Sequence, residues 1–377
     1  MTRMFVDVHI LQTVPPSNIN RDDTGSPKTA VYGGVRRARV SSQAWKRATR
    51  KMFGELVDPA TLGVRTKRVV ELVAERIGTA VEDPAAAAAQ VIKEAGIKLE
   101  KPAAKKKGKE ESAAEPVDLL EQSKYLLFLS AAQIDRLAQL AIDTATTGVS
   151  DKAAAKAAAN GADSIDVALF GRMVADSADL NVDAAAQVAH ALSVHSVNNE
   201  FDYFTAVDDR APEDNAGAGM IGVVEFNSST LYRYATVNVG LLAENLGDDE
   251  ATAVAVANFL TAFVRSMPTG KQNTFANRTL PDAVVVSVRT DQPVNLVTAF
   301  ESPVDALGTA RSAGAAKQLL ERYRALETAY GTSEATNYVV VAANGLEVLS
   351  ELATPASLSS VVDQVAAQVR DALGVAS

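Results

Sequence analysis

Cysteine is absent from all 377 residues. That excludes a disulfide framework and any thiolate metal or redox centre, and it fits a reducing cytoplasm. Histidine is almost as scarce, with His9, His190 and His195 the only three. His190 and His195 are five apart rather than four, and no glutamate follows His190 as a zinc protease requires, so they read as structural histidines. Nucleotide chemistry is equally thin. Thr269-Gly270-Lys271-Gln272 carries a Gly-Lys pair but lacks the upstream glycine spacing and the Ser/Thr that holds magnesium, which rejects an NTPase. No cofactor is implied. Long apolar runs are missing too: the best, Ala251 to Val264, is interrupted by Thr and Asn and reads as a core helix, short of the ~20 residues that cross a bilayer. Asp7 inside the first apolar run argues against a secretory signal. The expectation is a cytoplasmic protein with no membrane partner.

What is present is a segregated charge. The net charge is −9, yet between Thr24 and Gly54 there is no Asp or Glu, while Lys28, Arg36, Arg37, Arg39, Lys46, Arg47, Arg50 and Lys51 supply eight positive charges. Without these eight the remainder stands at −17. A basic surface on an acidic body holds one polyanion in place and discourages sticking elsewhere. The second half of the stretch reads as a helix, with Ser41 or Ser42 as N-cap and Ala44, Trp45, Ala48 and Met52 on one side. Lys46/Arg50 and Arg47/Lys51 are like charges at i,i+4, a repulsion that a bound polyanion offsets. Gly33-Gly34 reads as a flexible link before the RRAR run.

Around this stretch the pattern is mixed. Met4 to Leu11 alternates with period two and reads as a strand with one buried face. From about Asp58 to Val197 the chain is alanine-rich and helical, with helices expected at Val69 to Ile77, Pro84 to Ala95, Leu119 to Ile142 and Ala184 to Val194. Lys98 to Glu115 is highly charged and reads as a disordered loop. Lys152 to Ser164 is helix-prone but nearly coreless. Phe201, Tyr203 and Phe204 open a long loop that runs to Val224, punctuated by Pro212, Gly217, Gly219 and Gly222. An apolar run at Ile221 to Phe226, a strand at Leu231 to Val239, a helix from Asp248 to Ser266 and a strand at Ala283 to Val288 follow. Helices near Ala315 to Tyr330 and Leu358 to Leu373 flank an apolar strand, Tyr338 to Val341. With the helical block set aside, the order is strand, helix, strand, strand, helix, strand, that of a ferredoxin-like or RRM-like sheet. The expected class is therefore α+β: residues 1–57 and 225–377 form the two parts of an RRM-like core, 58–197 a helical insertion and 198–224 a long loop.

The blocks NRDD (Asn20 to Asp23), YGGVRRARVSSQ (Tyr32 to Gln43), KRATRK (Lys46 to Lys51), GRM (Gly171 to Met173), FDYFTAVDD (Phe201 to Asp209), LYRYATVNV (Leu231 to Val239) and ENLG (Glu244 to Gly247) together resemble the backbone subunit of the type I-E CRISPR surveillance complex, Cascade, of the RAMP superfamily. The resemblance implies a hand: an RRM-like palm, helical fingers and a thumb loop. It implies that Arg21, Lys28, Arg37, Ser41, Gln43, Lys46 and Arg50 grip guide-RNA phosphates, and that Arg172 and Met173 lie against the RNA. Tyr203, Phe204 and Val207 would kink it and displace one base per subunit. Lys271, at the turn after the second palm helix, is a further candidate for a phosphate. Lys152 and Lys156 match loosely a lysine group that contacts target DNA. The implied partners are guide RNA (crRNA), target DNA through the complex, copies of the chain head-to-tail, a guide-processing endonuclease, the large and small Cascade subunits and a helicase-nuclease.

No catalysis is required in that role. A subunit that holds any guide must read phosphate and sugar, which Lys and Arg on a helix face do without sequence preference. Two alternatives remain open. Asp208-Asp209, an ordinary turn pair, stands where RNA-targeting relatives carry a catalytic Asp, and His9 shares a strand face with Phe5 and Asp7, so a RAMP-superfamily ribonuclease is one. A general single-strand-binding protein is the other, with Phe201, Tyr203 and Phe204 as stacking rings.

Overall fold

The alternating register at the start of the chain forms β1 (Phe5–Ser17), which lies inside a nine-stranded sheet. The computed structural model describes residues 3–102, 120–175, 177–206, 220–305, 310–331 and 335–375, and in it the chain divides into two compact units. Met1–Leu56, Ala186–Gly240 and Ala253–Ser377 make the first; Val57–Ala185 and Leu241–Thr252 make the second. Among the described residues no helix is long and apolar enough to cross a membrane.

In the first unit β1 pairs antiparallel with the long strand Met220–Asn238 on one side and with Ala283–Arg289 on the other, so that Val8 faces Ala235 and Val286. Thr336–Val341 extends the sheet beyond Ala283–Arg289. At the opposite end Ala191–Ser193 joins the long strand to β3 (Val35–Val40), which folds back on β2 (Thr29–Tyr32). Helix α1 (Ser42–Leu56) follows β3, and helix Asp249–Arg265 precedes Ala283–Arg289. Helices Arg311–Tyr330 and Leu358–Leu373 flank the last strand, and the former packs Leu319, Leu320 and Tyr323 into a core with Tyr232 and Phe300.

Three expectations are corrected here. The apolar runs at Ile221 and Leu231 are one 19-residue strand. The place beside it is taken by Ala186–Val188 and Ala191–Ser193, expected as a helix. Alanine's helix propensity yields because Ala186, Val188, Ala191 and Ser193 all bury their alternating side chains against the sheet. The first strand buries both faces, not one: Val6, Val8 and Ile10 are inside, and so are Asp7 and His9. His9 Nδ1 lies 2.9 Å from the Tyr232 hydroxyl, and Asp7 accepts from the Tyr234 hydroxyl at 2.9 Å and from Val294 N–H at 2.8 Å. Arg289 adds an ion pair to Asp7 at 3.5 Å. Burial pushes the Asp7 carboxyl up to about 6, and burial with the nearby Arg289 charge pushes His9 down to about 3. His9 is a neutral core group and does not reach a bound strand.

In the second unit Val69–Ile77, Pro84–Glu94, Ala131–Thr147 and Lys152–Ala159 pack around Val73, Ile92, Leu137 and Ala155. Lys152–Ala159, expected to be coreless, buries Ala155, Ala158 and Ala159. The helix expected from Leu119 starts only at Ala131, where Ser130 and Gln133 form a reciprocal capping box. Short strands Gln122–Ser123 and Leu127–Leu129 precede it. The charged Lys98 to Glu115 stretch lies, from residue 103 on, outside the described residues.

Candidate nucleic-acid interface

The loop after β1 is built by Asp22. Its Oδ1 accepts Thr24 N–H (2.9 Å), the Thr24 hydroxyl (2.7 Å) and Ser26 N–H (3.0 Å), and these bonds hold the carboxyl below its usual range. The tight turn presents Arg21 on the outside. Asn20 Oδ1 then accepts Ser41 N–H at 2.8 Å, tying the loop to the start of α1. Ser41 is the N-cap: its hydroxyl accepts Ala44 N–H at 3.3 Å. The next amide, Ser42 N–H, donates to His190 Nδ1 at 3.1 Å, which leaves the ring proton on Nε2. Burial, then Arg39 and Lys28, lower the pKa of that imidazole. Gly33 and Gly34 are no flexible link. With φ of 59° and 78° they form the tight turn of the β2–β3 hairpin, and a Cβ on Gly33 would overlap the Glu301 carbonyl.

Helix α1 is fastened by Trp45, Thr49, Met52 and Phe53, which face inward. The Arg233 guanidinium lies 3.7 Å from the Trp45 ring centre and 4.7 Å from that of Phe263, and donates to Gln12 Oε1 at 2.6 Å and to the Phe263 carbonyl. Burial lowers its pKa to about 9, so it remains charged at neutral pH. This anchoring gives the helix two cationic flanks. Gln43, Lys46 and Arg50 succeed one another at i, i+3 and i+7 along the first; the Lys46 ammonium is half-buried, which lowers its pKa. Arg47 and Lys51 stand on the second, where Ala44 and Ala48 line a groove.

That groove encloses about 440 Å³ between α1, Ile19 to Arg21 and the Ser266 to Lys271 turn. Five cations line it, Arg21, Arg47, Lys51, Lys271 and Arg278, against the single carboxylate of Glu55. Its turn is set by close backbone approach: a Cβ on Gly270 would collide with the Ile19 carbonyl, and Lys271 itself has φ of 49°. A concave surface of this kind matches a phosphate chain in charge.

Two of the expected ligands are withdrawn. Arg37 is 0% exposed and donates to the carbonyls of Tyr32 (3.1 Å), Ser193 (3.0 Å), Phe300 (2.8 Å) and Glu301 (3.2 Å). Arg172 is 4% exposed and donates to the carbonyls of Leu180 (2.6 Å) and Phe128 (3.3 Å) and to Gln133 Oε1 (2.8 Å), with Asp163 at 3.8 Å. Both guanidiniums join segments of the fold. Arg172 nevertheless shapes the surface: its backbone bridges Val182 in both directions, and the neighbouring Met173 is left 82% exposed.

Phe201, Tyr203 and Phe204 sit not on a loop but on a strand, Glu200–Ala206, that pairs with the outer half of Met220–Asn238. All three are exposed, and the Phe204 ring lies across Gly222, where a Cβ would meet it. Val207, Asp208 and Asp209 lie outside the described residues. Lys28 is half-buried and Gln43 exposed. In the helical unit Lys152 is exposed and Lys156 is paired with Asp179 at 2.8 Å.

Arg278 and His190 were not anticipated. Arg278 reaches the groove only because the chain turns at Lys271, and no spacing in PTGKQNTFANR announces it. His190 meets α1 because its segment is a strand edge rather than a helix.

The model of the family described as CT1975-like protein matches residues 6–364. A chain of a structure described as "CRISPR RNA-guided surveillance complex, pre-nicking" is similar at 34% identity and a TM-score of 0.80, over 97% of this chain and 100% of that one. A chain of another, described as "CRISPR RNA-guided surveillance complex", is similar at 30% identity and a TM-score of 0.72, over 97% and 99%. Among curated protein sequences none matches.

Proposed function

Since the chain belongs to the CT1975-like protein family, we propose that it is a subunit of a CRISPR RNA-guided surveillance complex and, more finely, the backbone subunit of a type I-E Cascade. Copies bind head-to-tail along guide RNA, grip its phosphates, kink it at regular intervals and present its bases to target DNA. The observation that carries this is the groove beside α1, where five cations meet one carboxylate on a chain whose net charge is −9. Such a surface holds phosphate regardless of sequence, and recognition is left to pairing between guide and target.

In this reading Arg21, Lys28, Ser41, Gln43, Lys46, Arg50 and Lys271 line the RNA path, together with Arg47, Lys51 and Arg278 of the groove. Met173, Tyr203, Phe204 and Val207 are the apolar wedges, and Lys152 and Lys156 stand toward DNA. The sheet unit is the palm, the helical unit the fingers and the hairpin the thumb. The role is non-catalytic, and a heterologous contact between copies propagates a helical filament. The remaining partners are the guide-processing endonuclease, the large and small subunits and the helicase-nuclease.

Native purification tests it: small RNA of uniform length co-elutes in a large particle. Lys46→Glu with Arg50→Glu abolishes that particle and leaves the circular dichroism spectrum unchanged. Indifferent coating of any single strand, or RNA cleavage that Asp209→Ala removes, overturns the reading.

A further inference from the structure

The long strand Met220–Asn238 changes partners along its length. Its inner part pairs with β1 as far as Asn227, opposite Ser17, after a register break between Val14 and Ser17. Its outer part, from Phe226 outward, pairs with Glu200–Ala206, the strand that bears the aromatic residues. Glu225 stands just past this changeover, opposite Phe201.

Both of its carboxylate oxygens are engaged, and with different elements. Oε1 accepts the Ser26 hydroxyl at 2.8 Å, from the loop that carries Arg21. Oε2 accepts Asn199 Nδ2 at 3.0 Å, at the root of the hairpin, and Asn199 is itself held by Asn227 Nδ2 at 3.2 Å. The backbone repeats the connection: buried Asn18 donates from one amide nitrogen to the Glu225 carbonyl and to the Gly25 carbonyl, each at 2.9 Å. Ser26 cannot swing freely, because its N–H and its carbonyl are both bonded to Asp22. The Glu225 side chain thus ties Ser26 of the loop to Asn199 at the root of the hairpin, in parallel with the bridge that Asn18 makes to the backbone.

We propose that Glu225 is a positioning residue that locks the aromatic hairpin to the Arg21 loop, so that the span from the gripped phosphate to Tyr203 and Phe204 is fixed and a base is displaced at one defined place. This rests on the RNA-gripping function proposed above. A carboxylate suits the task because its two oxygens accept from both sides at once. The amide of Glu225→Gln keeps one acceptor and turns a donor toward the other partner.

The test uses the full chain assembled on a guide-length RNA in which 2-aminopurine is walked through consecutive positions. In the wild type, fluorescence peaks sharply where a base is unstacked. Glu225→Gln and Ser26→Ala leave RNA affinity within about threefold, because the cations that hold phosphate are untouched, while the peak loses roughly half its height or spreads to neighbouring positions. Ser26→Thr, which keeps the hydroxyl, retains the sharp peak. Variants that keep the wild-type pattern overturn the proposal. So do variants in which melting temperature, affinity and pattern collapse together, which marks plain support of the fold. Wild type that binds RNA with no displaced position overturns this inference and the wedge role of the hairpin while the phosphate grip stands; wild type that binds no RNA overturns the functional reading whole.

Discussion

Neutralising the groove gives the sharpest test of where the RNA runs. Arg47→Gln, Lys51→Gln and Arg278→Gln together remove three of the five cations that line it and touch no core packing, since all three side chains are exposed. On single strands each phosphate contact contributes about 0.7 to the slope of log affinity against log salt, so the triple variant loses ~2 from that slope. At ~0.15 M salt the same relation gives about fourfold per contact and ~50-fold for three. Filter binding or anisotropy with guide-length RNA, repeated over a salt series, reads both quantities. Lys317→Gln, on an exposed helix face of the same unit, leaves slope and affinity unchanged. A triple variant with unaltered slope and intact circular dichroism places the phosphates elsewhere and refutes the reasoning.

Two further outcomes follow from buried groups. Arg172→Ala strands the Gln133 and Leu180 acceptors and the nearby Asp163, costing roughly 3–5 kcal/mol and lowering the melting temperature, whereas exposed Met173→Ala leaves it in place; equal melting of the two sinks the structural assignment of Arg172. The Asp7–His9 pair fixes an acid-side behaviour. Asp7, raised to about 6, binds its proton more tightly folded than unfolded, so its contribution is full below the ordinary carboxylate value and is lost as pH rises toward 6. His9, lowered to about 3, works the other way: stability grows as pH climbs from there to the ordinary imidazole value. Between about 4 and 6 the two slopes offset one another. In Asp7→Asn the histidine acts alone, so denaturant-derived stability falls by ~1.4 kcal/mol per unit of acidification across that window; a profile parallel to wild type contradicts it.

The sequence disclosed the basic helix, its cap at Ser41 or Ser42 and the sheet's central strands, because these follow from local period and capping chemistry. It could not tell which arginines are exposed. Arg36, Arg37 and Arg39 belong to one short run, two of them adjacent, and only pairing of β3 with Ala191–Ser193 decides that Arg37 turns inward. Ala186 to Ser193 was illegible for a related reason, since alanine favours helix until a neighbouring strand offers both hydrogen bonds and burial. Long-range closure also hid Arg278 and Glu225, whose partners lie distant in the chain. The aromatic cluster was recognised, but its strand pairing was not, because Gly222 reads as a breaker and serves here to seat the Phe204 ring.

Two of the buried arginines of the sheet unit, Arg37 and Arg233, have an effect beyond their bonds. Arg37 is satisfied by four carbonyl dipoles, and Arg233 is held by one carbonyl, one amide oxygen and two aromatic faces. Dipoles solvate a guanidinium without cancelling its unit charge. Each therefore remains a permanent positive source embedded in weakly polarisable matter, where ions from solution cannot crowd around it to screen it. A polyanion brought to α1 would meet a standing potential that high salt erodes less than it erodes the contribution of the surface lysines. Residual attraction in strong brine, after the exposed cations have been silenced, is the mark such interior charges leave.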